Sequence, residues 1–438
     1  MQASDQAITY GRHIRALATL GIPIIVGQLG TIIQGLADTI MVGHFSAHSL
    51  AAAGFVNNIM VLVLIFALGY SYAITPVIGP MHARGEFENA GKALKAGLQV
   101  NGALGMVLFL LMGTLYFFLG HMGQPEELLP EIRPYYIVVV LSIPIQSLFN
   151  AFKQFFDSIG NTRTPMWIMI SANLFNIVGN YLLIYGIGPF PQLGLLGAGI
   201  STTLSRILML VVIYGIFISN EKYKKYHSGF QAKGETTDMR RMLHKLGRPL
   251  GLQMGMETAS FSLCAVMQGW IGADPLAAHQ IMTSVGSTCF MVYYGIGAAV
   301  AIRVSHFHGV NDIRNVRRSS LTGYLMILAI GLTLAITIST FINEICAFFT
   351  NDANIRHIGD GLQINFANSL RGIADVRPLM RYAFLCYIVI SLPLSYLLGF
   401  TFHGGPAGIW MAFPVALTLA GALFCRRFLR KTRTVAAG

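Results

Sequence analysis

Three carboxylates stand in surroundings where an acid is expensive. Asp38 is the only acid in the apolar run 17–45, LATLGIPIIVGQLGTIIQGLADTIMVGHF, and acids buried in hydrocarbon commonly mark ion pathways. Helical rise puts it about 10 Å from one end of that run. Oxygen-bearing side chains are available to it: Asn173, Asn176 and Asn180 recur at i, i+3 and i+7, one face of a helix, and Thr202 and Thr203 open a further apolar segment. One carboxylate with amide and hydroxyl oxygens is a ligand set for a hard cation such as Na+, so Asp38, Asn176 and Asn180 form a candidate Na+ site. The same asparagine stripe would also serve as interhelical glue. Glu257 lies in GLQMGMETASF, about 14 Å by helical rise from the basic end of its segment, and Asp360 about 16 Å from its own. Both depths approach the middle of a bilayer. The GxxxG of Gly251 and Gly255 beside Glu257 reads as close helix packing.

Positioning such groups requires membrane-spanning helices, and the composition supplies them. Hydrophobic residues make up 54% of the 438 residues and charged ones 11%, with a mean hydropathy of +0.61, far from soluble globular values. Charged and Gly/Pro-rich breaks cut the chain into twelve apolar segments, at 17–43, 50–80, 92–120, 131–157, 165–187, 196–219, 246–271, 276–305, 319–349, 355–373, 379–402 and 406–428. All but the tenth, which is short and polar, are of comfortable spanning length, which predicts an all-α polytopic membrane protein of twelve transmembrane helices. With the N-terminus in the cytoplasm, all of the 30 Lys and Arg fall on the cytoplasmic side except Arg133, Arg356 and the intramembrane Arg206. This skew follows the positive-inside rule and predicts a multi-pass protein of the cytoplasmic (inner) membrane with both termini cytoplasmic. It also accounts for the net charge of +12 by the lipid bilayer as partner, with no nucleic acid. The first apolar run is too long for a signal peptide and is read as a retained helix. Cys264, Cys289, Cys346, Cys386 and Cys425 show no metal or disulfide spacing and read as small core hydrophobes.

The polar stretch 220–248 divides two related halves. At one constant offset Gly21 matches Gly247, Pro23 matches Pro249, Leu50-Ala51-Ala52 match Leu276-Ala277-Ala278, and His82 matches His308. Residues 1–219 are therefore expected to form an N-lobe, 220–248 a cytoplasmic linker and 249–438 a C-lobe. Six spans per half give the lobes one orientation, related by a pseudo-two-fold axis along the membrane normal. The offset shortens between Asn315 and Ile373, so the tenth helix is expected to be shortened. None of the acids is repeated: Asp38 corresponds to Cys264, Glu257 to Thr31 and Asp360 to Gln146.

The stretches LADTIMVGHFSAHSLAAAG, FFDSIGNTRTPM, ANLFNIVGNYLLIYG, LGAGISTTLSR, GADPLAAHQI and GDGLQINFANSLRGIADVRP resemble those of bacterial multidrug and toxic compound extrusion (MATE) transporters over the whole length. The resemblance implies an antiporter that expels organic cations and other xenobiotics in exchange for Na+ or H+. It also implies a cation site in the first half that carries over to Asp38, Asn176, Asn180 and Thr202. In one branch of the family a second site is formed by acids matching Glu257 and Asp360. Two carboxylates sharing a low-dielectric site hold a proton or a metal ion between them.

Gln34, Tyr293 and Tyr294 are candidate substrate contacts, the tyrosines by stacking on flat cations, although such rings more often pack or anchor at the interface. No cofactor is expected beyond the coupling ion, and the chain is expected to work as a monomer. A lipid-linked oligosaccharide flippase of similar two-lobe form is the alternative. It would need several basic residues to hold pyrophosphate, whereas Arg206 stands alone deep in a span. An intramembrane enzyme is disfavoured by the lack of HExxH, GxSxG and phosphate-loop motifs.

Overall fold

The computed structural model describes residues 9–123, 125–232, 234, 236–271, 273–340 and 377–435. These form helices and connecting turns, with no strand among the described residues. In chain order they are α1 (Tyr10–Phe45), α2 (Ala47–Ser71), α3 (Ile74–Ala83), α4 (Phe87–Leu115), α5 (Leu129–Ser158), α6 (Arg163–Tyr185) and α7 (Leu195–Ser219). There follow the short α8 (Lys224–Gln231), then α9 (Thr237–Ile271), α10 (Ala273–Gly309) and α11 (Ile313–Thr340). After them come α12 (Leu379–Thr401) and α13 (Gly405–Val435). Nine spans among the described residues are long and apolar enough to cross a membrane. The expected tenth segment, 355–373, lies outside the described residues, and so does Asp360.

The expected second span, 50–80, is interrupted: α2 ends at Ser71 and α3 resumes at Ile74. Pro76 explains the break, because proline offers no N–H to the carbonyl four residues back, at Tyr72, and its ring crowds that carbonyl. The backbone tightens there, with Tyr72 and Ala73 N–H bonded to the Gly69 and Tyr70 carbonyls, three residues earlier. α12 is wound wider than an α-helix over Phe384–Ser391 and Leu397–Thr401, where π-helical turns flank Leu392–Tyr396.

Two compact units divide the molecule. One comprises Val26–Met81 and Gly85–Gly251. In it α5 is central, packed by α2, α4 and α7, with α6 against α7 and α8 against α4. Its core includes Val56, Met60, Met112, Ile132, Tyr136 and Ile143. Lipid tails are as apolar as these side chains, so close packing and interhelical hydrogen bonds must hold the helices together. The other unit contains the chain up to Ile25, His82–Arg84 and the described residues from Leu252 onward. It packs α10 on α11 around Cys289, Tyr293, Ile296 and Ile327, and α12 on α13 around Cys264, Tyr387, Ile409 and Phe413, with Phe261 stacked on Phe413 at 4.4 Å.

Candidate functional site

Three helices of the first unit, α1, α6 and α7, converge on Asp38. α6 runs beside α1: Gly27 faces Met166 and Met169, and Gly30 faces Asn173. Farther along, Asp38 meets Asn180, and the Tyr185 hydroxyl donates to the Met41 carbonyl at 2.8 Å. α7 approaches α6 closely because Gly179 has no side chain; a Cβ there would lie 2.5 Å from Ser201 Oγ. That approach allows Ser201 Oγ to donate to the Asn176 carbonyl at 2.8 Å and brings Thr202 to the Asn176 amide.

The carboxylate is half-buried and held by amide donors. Asn180 Nδ2 donates to Asp38 Oδ1 at 2.5 Å, and Gln34 Nε2 donates more weakly to Oδ2 at 3.4 Å, one turn away on the same helix. The Asn176 amide is satisfied in the orientation that points Nδ2 at Asp38 Oδ1, 2.9 Å away, and turns its oxygen to the Thr202 hydroxyl and backbone N–H, both at 3.2 Å. Amide orientation is assigned from such partners. Asn180, fully buried, spends its N–H on Asp38 and leaves its Oδ1 with no hydrogen-bond partner among the described residues. A buried amide oxygen without a donor is costly. Beside a carboxylate, it is also a ready ligand for a hard cation.

Asp38, Asn176, Asn180 and Thr202 come together in the structure, and Gln34, expected as a substrate contact, lies beside them as a hydrogen-bond partner of Asp38. Asn173 is also buried on that face, two turns from Asn180, with its Nδ2 unpartnered. Glu257 is half-buried on α9 in the other unit. Tyr293 and Tyr294 are buried on α10, in a cluster with Cys289, Ile296 and Ile327 or stacked against Phe290. Among the described residues, no group of three or more His, Cys, Asp or Glu forms a metal site, so the cage at Asp38 relies on amides and hydroxyls.

Sequence reasoning missed two polar features of this unit. Lys153 and Asp157 form a buried ion pair at 2.8 Å, their side chains 6% and 5% exposed. Their i, i+4 spacing in an apolar helix was the available signal. By sequence Arg206 reads only as an isolated base; in the structure its Nη1 donates to Ser142 Oγ.

The MatE family model matches residues 23–182 and 249–397. The multidrug resistance protein PmpM of Pseudomonas aeruginosa is 29% identical, with 99% of this chain and 95% of PmpM covered. The probable multidrug resistance protein NorM of Bradyrhizobium diazoefficiens is 28% identical over 93% of this chain and 91% of its own. A solved outward-facing multidrug resistance MATE family transporter of the MOP superfamily superposes with a TM-score of 0.87 at 16% identity, covering 98% of this chain and 99% of that one. The eukaryotic MATE transporter AtDTX14 gives 0.83 at 16% identity, with 97% and 98% covered. These matches bear out the all-α, polytopic, two-lobe architecture expected from the sequence.

Proposed function

Because the chain belongs to the MatE family, we propose that it is a secondary active antiporter of the cytoplasmic membrane, exporting organic cations in exchange for Na+ or H+ held at Asp38. The observation that carries this reading is the Asp38 cage, a carboxylate next to a fully buried Asn180 whose Oδ1 has no partner among the described residues. Na+ would take Asp38, the Asn180 oxygen and the Thr202 hydroxyl, with the Asn176 amide turning its oxygen inward. A proton would instead sit on the Asp38 carboxylate and donate to one of these amide oxygens. Either ion neutralises the acid and removes the reason for the amide donors to point at it.

Exchange needs ion and drug to favour different states of the protein. Gln34 links the two events, because the group hydrogen-bonded to Asp38 is also a candidate substrate contact. Tyr293 and Tyr294, buried as they are, would reach a flat cation only after the helices around them part. Glu257 and Asp360 are the candidate ion ligands of the second half. In this reading the chain works as a monomer in the lipid bilayer, with both termini in the cytoplasm.

Purified protein in liposomes, given an imposed Na+ gradient and separately a pH gradient, is expected to drive accumulation of a fluorescent organic cation with one of them. No response to either gradient overturns the antiport reading.

A further inference from the structure

Arg206 is a base in the middle of a span, and among the described residues it has no carboxylate within ion-pairing distance. A guanidinium in that position is costly, and removing one partner from a buried pair is more costly still. Its hydrogen-bond partner among the described residues, Ser142 Oγ, itself donates to the Val139 carbonyl, so a neutral chain of hydroxyl and carbonyl holds it. The placement of Arg206 gives it a second relation. It sits four residues after Thr202 on α7, on the same helical face, and Thr202 is hydrogen-bonded to the Asn176 amide that touches Asp38. On α5, Ser142 and Tyr135 share a face seven residues apart, and Tyr135 donates to Asn57 Oδ1 at 3.2 Å.

We infer that Arg206 is the resident counter-charge of Asp38, a fixed cation one helical turn beyond the ion cage that competes with the coupling ion and sets how readily it leaves. The inference rests on the antiport reading above. The physical logic is that a fixed positive charge near a carboxylate repels the mobile cation that the carboxylate holds and so favours its release. A guanidinium within about two helical turns weakens that hold without entering the cage, since it is tied to Ser142. Arg206 is thus a positioning charge rather than an ion ligand. Its effect should appear in ion affinity and not in the chemistry of drug binding.

The test compares the full-length wild type with Arg206→Gln, Arg206→Met and Arg206→Lys. Gradient-driven efflux of a fluorescent organic cation is followed in liposomes across a titration of NaCl and, separately, of pH. The ion-dependent rise in thermal midpoint of the purified protein is a second readout, independent of transport. A unit charge roughly 10 Å away at an effective dielectric near 20 is worth about tenfold in an equilibrium. Neutralisation is therefore expected to lower the half-saturating ion concentration about tenfold, while Lys stays close to wild type and the shift vanishes when Asp38 is also changed to Asn. Neutral variants with wild-type half-saturation overturn the inference, as does a Lys variant that shifts as far as Gln or a shift that survives in the Asp38→Asn background. A wild type that responds to neither gradient instead brings down the antiport reading itself.

Discussion

At the scale of single residues, the site is defined by an imbalance. Asp38 receives donors from Asn180 at 2.5 Å and from Asn176 at 2.9 Å, yet among the described residues the Asn180 oxygen has none. Asn180→Leu removes a donor and, in the antiport reading, an ion ligand. A hydrogen bond to a charged group contributes about 1.5–3 kcal/mol, so the variant should weaken coupling-ion affinity ten- to a hundredfold, read from half-saturation in proteoliposomes. A stability prediction belongs to the same scale. Lys153→Met leaves Asp157 buried and uncompensated and should cost about 3–5 kcal/mol, whereas Lys153→Met with Asp157→Leu should cost much less. Unfolding in detergent as a double-mutant cycle measures the difference. Asp38, Asn176 and Asn180 were legible in the sequence because acids and amides stand out against an apolar run. The unpaired Asn180 oxygen was not, because spacing fixes a helical face and leaves the orientation of an amide open.

At the scale of elements, the cage depends on how closely α6 and α7 pack. Gly179→Ala drives a methyl into Ser201 Oγ, 2.5 Å from the ideal Cβ position, and should abolish coupled transport while leaving insertion intact. Adding Ser201→Ala leaves the new methyl 3.3 Å from the residue 201 Cβ and should restore part of the activity, measured as gradient-driven efflux. α9 offers a different test, ahead of its spanning part. The Tyr70 hydroxyl on α2 is hydrogen-bonded to His244 Nδ1, and Tyr70 is the donor when the neutral imidazole carries its proton on Nε2. Burial first, then Arg248 and Arg240, push His244 below its ordinary value. The unfolded chain therefore takes up the proton first: the contact contributes fully above about pH 6.5 and is lost as pH falls through the lower folded value. Hydrogen exchange at residues 240–248 should accelerate on acidification below that point, and His244→Gln should flatten the dependence. Glycine and histidine are visible in a sequence, but the helix that each one meets is not.

At the scale of the whole molecule, the repeat read from the sequence reappears in the packing. Gly21 and Gly247 are repeat equivalents, and each marks a tight contact in its own unit. A Cβ on Gly21 would meet Ile296 at 3.0 Å, and one on Gly247 would meet Tyr70 at 3.0 Å, while Tyr70 and Ile296 are themselves equivalents by the same offset. α1 leaves one compact unit after Ile25 and α9 leaves the other after Gly251, again matching positions. Helix number, composition and repeat were open to inspection because apolar length and constant offset survive divergence. The passage of α1 and α9 from one unit to the other was hidden, since it depends on contacts rather than on order along the chain. Within this frame the chemistry is asymmetric, with Asp38 answered in the repeat by Cys264, which is buried. In the antiport reading, coupling passes through Asp38. This is tested by gradient-driven accumulation of an organic cation in liposomes by Asp38→Asn, alongside its passive exchange without a gradient. Accumulation is expected to be abolished while passive exchange persists; accumulation at the wild-type level would rule out coupling through Asp38.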